Sequence, residues 1–218
     1  MATITEENYL KAIFHLSQKT DQVSISDLSK SLEVSKPTVN SMVKNLKAHG
    51  YISYEKYKPI ALTKVGLKVA ALILRKHRLT EMYLVEKMGF GWEEVHEIAE
   101  QVEHIESPAF FDRMDELMGY PTVDPHGSPI PDKKGEFLSQ NKKKLNDCGI
   151  GSEVIITALR MSSKGLLEFL DSRGIALGSR LKILSKSTFD NSVMISYEGK
   201  KESLSDKVSE RLLVEEVS

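Results

Sequence analysis

Apolar residues recur at helical spacing in three successive runs at the start of the chain. Tyr9, Leu10, Ile13, Phe14 and Leu16 define a first helix, with Thr5 and Asn8 as a weak box-like start. After the polar break from Gln18 to Gln22, a Ser/Asp cap in Ser24-Ile25-Ser26-Asp27 opens a short second helix carrying Leu28 and Leu32. Val34-Ser35-Lys36-Pro37-Thr38 reads as a turn in which Ser35 caps a third helix and Pro37 is tolerated in its first turn. That helix buries Val39, Met42, Val43 and Leu46, runs to Ala48 or His49, and is stopped by Gly50. Between Tyr51 and Leu62 the pattern becomes two short strand-like runs around a polar turn. Two helices joined by a tight turn outline a helix-turn-helix, and the hairpin that follows would be its wing.

Helical spacing returns between Arg75 and Ile105, where Gly89-Phe90-Gly91 separates two helices expected to be antiparallel neighbours. Val95, Ile98, Ala99, Val102 and Ile105 form the apolar stripe of the second. Tyr120 to Lys134, rich in Pro and Gly, reads as a linker loop, and Lys142-Lys143-Lys144 as a solvated helix end. From Gly151 short strands take over at Val154 to Leu159, Arg180 to Leu184, Ser192 to Tyr197 and Arg211 to Glu215. A turn at Glu198-Gly199-Lys200 and a short helix from Leu166 to Leu170 complete the pattern of a small SH3-like barrel. The fold class expected is mainly α with a small β part. A winged helix-turn-helix over 1–63, a helical domain over 64–135, a linker over 136–150 and a barrel over 151–218 follow.

Chemistry concentrates on the two middle helices. His77 and Glu81 stand one turn apart on the first, and His96, Glu100, Glu103 and His104 form a donor stripe on the second, separate from its apolar stripe. Glu93, Glu94, Glu97, Glu100, Glu103 and Glu106 have no Lys or Arg among them, although like charges one turn apart repel. A solvated acidic face is one reading. Salt bridges from Lys64, Lys68, Arg75, Lys76 and Arg78 are another, and they account for the carboxylates. The histidines are better matched by a divalent transition metal, which takes imidazole and carboxylate together. On the third helix, Lys36, Thr38, Asn40, Ser41, Lys44, Asn45 and Lys47 are exposed positions, and Lys56, Tyr57 and Lys58 occupy the wing tip. Short polar side chains there suit base edges and the lysines suit phosphate, which points to double-stranded DNA.

Bulk properties narrow the setting. The 218 residues carry a formal net charge of −1, so DNA binding has to come from a local patch. The single cysteine, Cys148, cannot form an internal disulfide. With no signal-like apolar run and no stretch near the roughly 20 residues of a membrane helix, a cytoplasmic protein without membrane association is expected.

The succession VSKPTVNSMVKNLKAHGYI, LTKVGLKVA, KHRLTEMYL, VHEIAEQVEHI and YPTVDPHGSPIP resembles the diphtheria toxin repressor family over nearly the whole chain. It is nearest to the manganese- and iron-responsive members with a C-terminal SH3-like, FeoA-type domain. The resemblance implies a non-enzymatic, homodimeric, metal-activated transcription factor, a repressor of metal-uptake genes acting on operator DNA. It places metal ligands at Asn8, His77, Glu81, His96, Glu100, Glu103 and His104, and accessory ligands at Asp124 and His126. It places DNA contacts at Ser35, Pro37, Thr38 and Ser41, beside Lys36, Asn40, Lys44, Lys56 and Lys58 from the residue reading. Asn8 replaces an aspartate or methionine, and Lys11 stands where manganese-type members have a second glutamate. In the iron-type relatives the barrel completes the accessory site; here Thr157 and Arg160 hold the corresponding positions. Glu100 replaces the cysteine of iron-type members, which favours Mn(II) over Fe(II), with Zn, Co, Ni or Cd able to substitute. The alternatives are a metal-independent winged-helix regulator responding to a small molecule and a metal-dependent hydrolase; no nucleophile, general base or Gly-rich cradle at an informative spacing supports the latter.

Overall fold

The computed structural model describes residues 2–20, 22–56, 58–137 and 142–217. Its contacts divide the chain into two units, one of residues 1–80, 99–114 and 130–138, the other of residues 81–98, 115–129 and 139–218.

The first unit begins with α1 (Ile4–Ser17), α2 (Ile25–Ser31) and α3 (Lys36–Ala48), then the hairpin β1 (Ile52–Ser53) and β2 (Ala61–Leu62). The expected caps on Ser24 and Ser35 form: the Ser24 hydroxyl accepts from the Asp27 amide while Asp27 reaches back, and Ser35 accepts from the Thr38 amide. Gly50 follows the C-cap of α3 at φ 74°, a conformation glycine adopts without a Cβ penalty. The start of α1 differs from the Thr5/Asn8 expectation. Thr3 is the N-cap, because Glu6 sits three residues on and returns its carboxylate to the Thr3 amide at 2.8 Å. Leu10, Ile13, Leu28, Val39, Val43 and Leu46 are fully enclosed in the core that joins the three helices to the hairpin. Strand register is Ile52 to Leu62 and Ser53 to Ala61.

The long helix α4 (Lys64–Met88) crosses the division of units at 80/81, and α5 (Val95–Val102) and α6 (Pro108–Leu117) follow. The acidic helix is shorter than its periodicity suggested. It ends at Val102, and Glu103 and His104 lie in the turn beyond, with the Glu103 amide still bonded to the Ala99 carbonyl at 2.9 Å. Val95 and Ala99 are buried as expected, whereas Ile105 is exposed.

In the second unit, β3 (Lys143–Lys144), β4 (Glu153–Leu159), β5 (Arg180–Lys186), β6 (Val193–Tyr197), β7 (Lys200–Leu204) and β8 (Leu212–Glu216) form one antiparallel sheet in the order β3-β8-β4-β5-β6-β7. Val154, Ile156 and Ala158 alternate inward, and bulges at Ile156/Ala158 and Ile183/Ser185 curve the sheet over α7 (Lys164–Asp171). Lys143 and Lys144 are strand residues paired with Val214 and Leu213, not a helix end. The stretch from Tyr120 to Lys134 has no helix or strand, but Asp124, His126 and Ile130 within it are buried, so it is a packed loop rather than a solvated linker.

Candidate metal centres and DNA-facing helix

In the first unit the centre is Glu103, whose carboxylate has no solvent exposure. One oxygen accepts from the Lys11 ammonium at 2.6 Å, and the other lies 2.6 Å from Nδ1 of His77. Lys11 also donates to Glu100 at 2.7 Å, so one ammonium joins both carboxylates. A carboxylate oxygen of Glu100 lies within 4.8 Å of a ring nitrogen of His77. A cation near the acidic residues is therefore supplied by Lys11 of α1, outside the set of α4 cations; its pairing with Glu103 spans 92 residues of sequence, beyond the reach of any periodicity argument.

His104 is placed in the same way. Its Nδ1 lies 2.8 Å from a carboxylate oxygen of Glu7, which as an acceptor fixes the proton on that nitrogen. Nε2 is then the lone-pair nitrogen, 3.6 Å from Glu103. Glu7, Asn8 and Lys11 share one face of α1 by their spacing. The side-chain Oδ1 of Asn8 is buried and has no hydrogen-bond partner among the described residues. A buried carbonyl oxygen left without a partner costs about 1–3 kcal/mol. Coordination of a cation would satisfy it. The donor set Asn8, Glu100, Glu103 and His104, already holding an ammonium as a stand-in, thus fits a divalent ion taking oxygen and imidazole nitrogen.

The second unit gathers Glu81, Asp124 and His126, all buried, with one ligand atom of each within 4.8 Å of the others. Asp124 Oδ1 accepts from the amides of His126 at 2.8 Å and Ser128 at 2.9 Å, which curls the loop around the carboxylate. His126 Nε2 is 3.0 Å from the Trp92 carbonyl, an obligate acceptor. The proton is therefore on Nε2, and Nδ1 is left to face Glu81 at 3.8 Å and Asp124 at 3.9 Å, the tautomer a metal ligand needs. The other oxygen of Glu81 lies 3.2 Å from Nδ1 of His96. The barrel holds this loop: the Leu159 amide donates to the His126 carbonyl at 2.7 Å, and Gly127, at φ 78°, leaves no room for a Cβ against Thr157 and Ala158. The Thr157 hydroxyl is directed to the Leu213 carbonyl.

On α3, Ser35, Lys36, Pro37, Thr38, Asn40, Ser41 and Lys44 are all exposed. The Ser35 and Thr38 hydroxyls are 2.8 Å apart at the helix start, and Asn40 bonds the Lys36 carbonyl. Asn45 turns instead toward α1: its amide nitrogen donates to Glu6 at 2.9 Å, and His49 Nδ1 lies 2.7 Å from the same carboxylate oxygen. Burial pushes the Glu6 pKa up, but the Thr3 amide, His49 and the Thr3 hydroxyl together bring it below its ordinary value. Lys56 and Lys58 are exposed on the hairpin, with Lys58 paired to Glu55 at 2.6 Å; Tyr57 lies outside the described residues.

Three family models account for nearly the whole chain. They are the iron dependent repressor N-terminal DNA binding domain over residues 1–60, the iron dependent repressor metal binding and dimerisation domain over 63–132, and the FeoA domain over 143–216. The iron-dependent repressor IdeR of Mycobacterium leprae is 35% identical across 58% of this chain and 55% of its own length, so the match spans about half of that relative. The HTH-type transcriptional regulator MntR of Bacillus velezensis is 30% identical over 67% of this chain and 98% of its own. A solved manganese-dependent transcriptional repressor in complex with manganese has 31% identity and a TM-score of 0.88, with 97% of this chain and 100% of that one covered. Relatives are named as repressors or regulators, and no helix among the described residues is long and apolar enough to cross a membrane.

Proposed function

This chain belongs to the iron-dependent repressor family that includes the diphtheria toxin repressor, and on that premise we propose that it is a homodimeric transcriptional repressor whose binding to operator DNA is switched on by a divalent metal. The observation that carries this reading is the double engagement of α1. Glu7 meets His104 and Lys11 meets Glu100 and Glu103, with Asn8 on the same face of α1, while the neighbouring Glu6 holds Asn45 and His49 at the end of α3. One rigid helix thus joins the metal-ligand cluster to the helix that reads DNA.

In the first unit Asn8, Glu100, Glu103 and His104 would hold one ion, with His77 beside them on the Glu103 carboxylate, and in the second unit Glu81, Asp124 and His126 would hold another, with His96 on the same Glu81 carboxylate. When bound, the ion supplies the positive charge and fixed ligand directions that tie the acidic turn to α1. Glu7 keeps the His104 ring in its binding tautomer, and the Trp92 carbonyl does so for His126. Oxygen and imidazole donors without a thiolate favour Mn(II), with Fe(II) next; Zn, Co, Ni and Cd would bind without being the signal. With α1 fixed, Glu6 holds α3, and the two α3 helices of a dimer would address successive major grooves about 34 Å apart. Thr38, Asn40 and Ser41 would approach base edges, with Ser35 and Pro37 beside them at the helix start and Lys36, Lys44, Lys56 and Lys58 at the backbone.

Fluorescence anisotropy on a fragment of the protein's own promoter region, at fixed salt, tests this reading. Binding is expected with Mn(II), or with Fe(II) under anaerobic conditions, and to be lost on adding chelator. Full affinity in chelator would overturn metal gating and favour a regulator responding to a small molecule.

A further inference from the structure

The Lys11 ammonium bridges the two carboxylates most central to the first centre, at 2.7 Å from Glu100 and 2.6 Å from Glu103, and its side chain is only 9% exposed. A bridging cation between two glutamates is what a metal would provide. Lys11 also shares its α1 face with Asn8, whose Oδ1 has no hydrogen-bond partner among the described residues. Taking these together, and resting on the metal-gated reading above, we propose that Lys11 is a tethered competitor for the metal. It neutralises Glu100 and Glu103 in the metal-free chain and sets a high threshold concentration for loading.

The chemistry follows from the donor count. Glu103 Oε1 serves the ammonium and Oε2 serves His77, so a divalent ion reaches this carboxylate only by sharing an oxygen with one of them or displacing it, and at either oxygen it lies close to the ammonium's charge. An ammonium about 4 Å from a divalent ion opposes binding by roughly tenfold or more, even with water-like screening. The opposite role is a scaffold: if Lys11 only preorganised the carboxylates, its loss would splay them and weaken metal binding. The two roles predict opposite signs.

The test measures Mn(II) affinity of the full chain, without DNA, by competition with a chromophoric chelator. Lys11→Met and Lys11→Gln remove the charge at similar length, and Lys11→Arg retains it. Expected are affinities about tenfold tighter or more for Met and Gln, with Arg near wild type. Thermal melts in chelator should show the Met and Gln variants folded but less stable than wild type, and rescued by Mn(II) to a larger rise in melting temperature. Wild-type affinity or weaker in both neutral variants, with melts showing them folded, would overturn the competitor role. No Mn(II) binding by wild type or by any variant would instead overturn the metal-gated reading itself. If both neutral variants fail to fold, Lys11→Arg decides: Mn(II) binding no tighter than wild type's supports a cation in the metal's place, and tighter binding overturns it.

Discussion

Glu103→Gln is the most informative single substitution, because the shape is retained while the charge at the hub is removed. In the metal-free protein Glu103 accepts from Lys11 and from His77 at 2.6 Å each, with no solvent to replace either. A glutamine keeps one acceptor but turns an NH2 toward one of two donors. Breaking a buried ion pair costs about 3–5 kcal/mol. Lys11 retains Glu100 at 2.7 Å, which offsets part of this, and a charge-assisted hydrogen bond alone is worth about 1.5–3 kcal/mol. The expected loss is about 2–3 kcal/mol, or about 4–12 °C in melting temperature for a chain of this size. Circular-dichroism melts in chelator read that loss, and the same melts with Mn(II) read the ligand role. Wild type should rise with metal and the variant far less, since each tenfold loss of affinity removes about 1.4 kcal/mol of ligand-linked stability. A variant melting within a degree of wild type in chelator would refute the buried network, and an undiminished rise with Mn(II) would refute Glu103 as a ligand.

Other perturbations separate the remaining parts. Glu6→Gln weakens the bonds to Asn45 and His49, and metal-activated DNA affinity should fall about tenfold while Mn(II) affinity in the absence of DNA changes little; anisotropy beside chelator competition measures both. Gly127→Ala forces a Cβ against Thr157 and Ala158 at a positive φ, and should cost about 3 kcal/mol in a urea titration and remove the metal held through Asp124 and His126 by elemental analysis. Lys44→Ala should weaken DNA binding equally for specific and random sequences and reduce the slope of log K against log salt by about 1.

Local chemistry made much of the fold legible. The caps on Ser24 and Ser35, the stop at Gly50 and the alternating strands of the barrel each depend on residues a few positions apart, where sequence spacing and spatial distance coincide. The start of α1 was misplaced because Thr5 and Asn8 mimic a weak cap, whereas the Thr3/Glu6 pair closes both bonds of a capping box. Helix α6 was missed although Ser107-Pro108 is a serviceable start signal, and β7 was absorbed into the turn at Glu198-Gly199-Lys200. In the candidate centres, spacing could pair His77 with Glu81 but not assign Lys11 to Glu100 and Glu103, or Glu7 to His104, contacts 89 to 97 residues apart. In the sequence Asp124 fits a Pro-flanked turn as well as a ligand and His126 is the only distinctive piece, whereas in the fold the amide bonds to Asp124 and the Trp92 carbonyl on His126 build the two into one cluster with Glu81.

If metal and DNA favour the same conformer of the chain, linkage requires their coupling to be reciprocal. Equilibrium dialysis of Mn(II) with and without saturating operator DNA measures it most directly. Mn(II) is expected to bind more tightly in the presence of operator, by the same factor by which saturating Mn(II) tightens DNA binding. Mn(II) affinity indifferent to operator would contradict it, and would leave the metal centres as structural elements without a part in reading DNA.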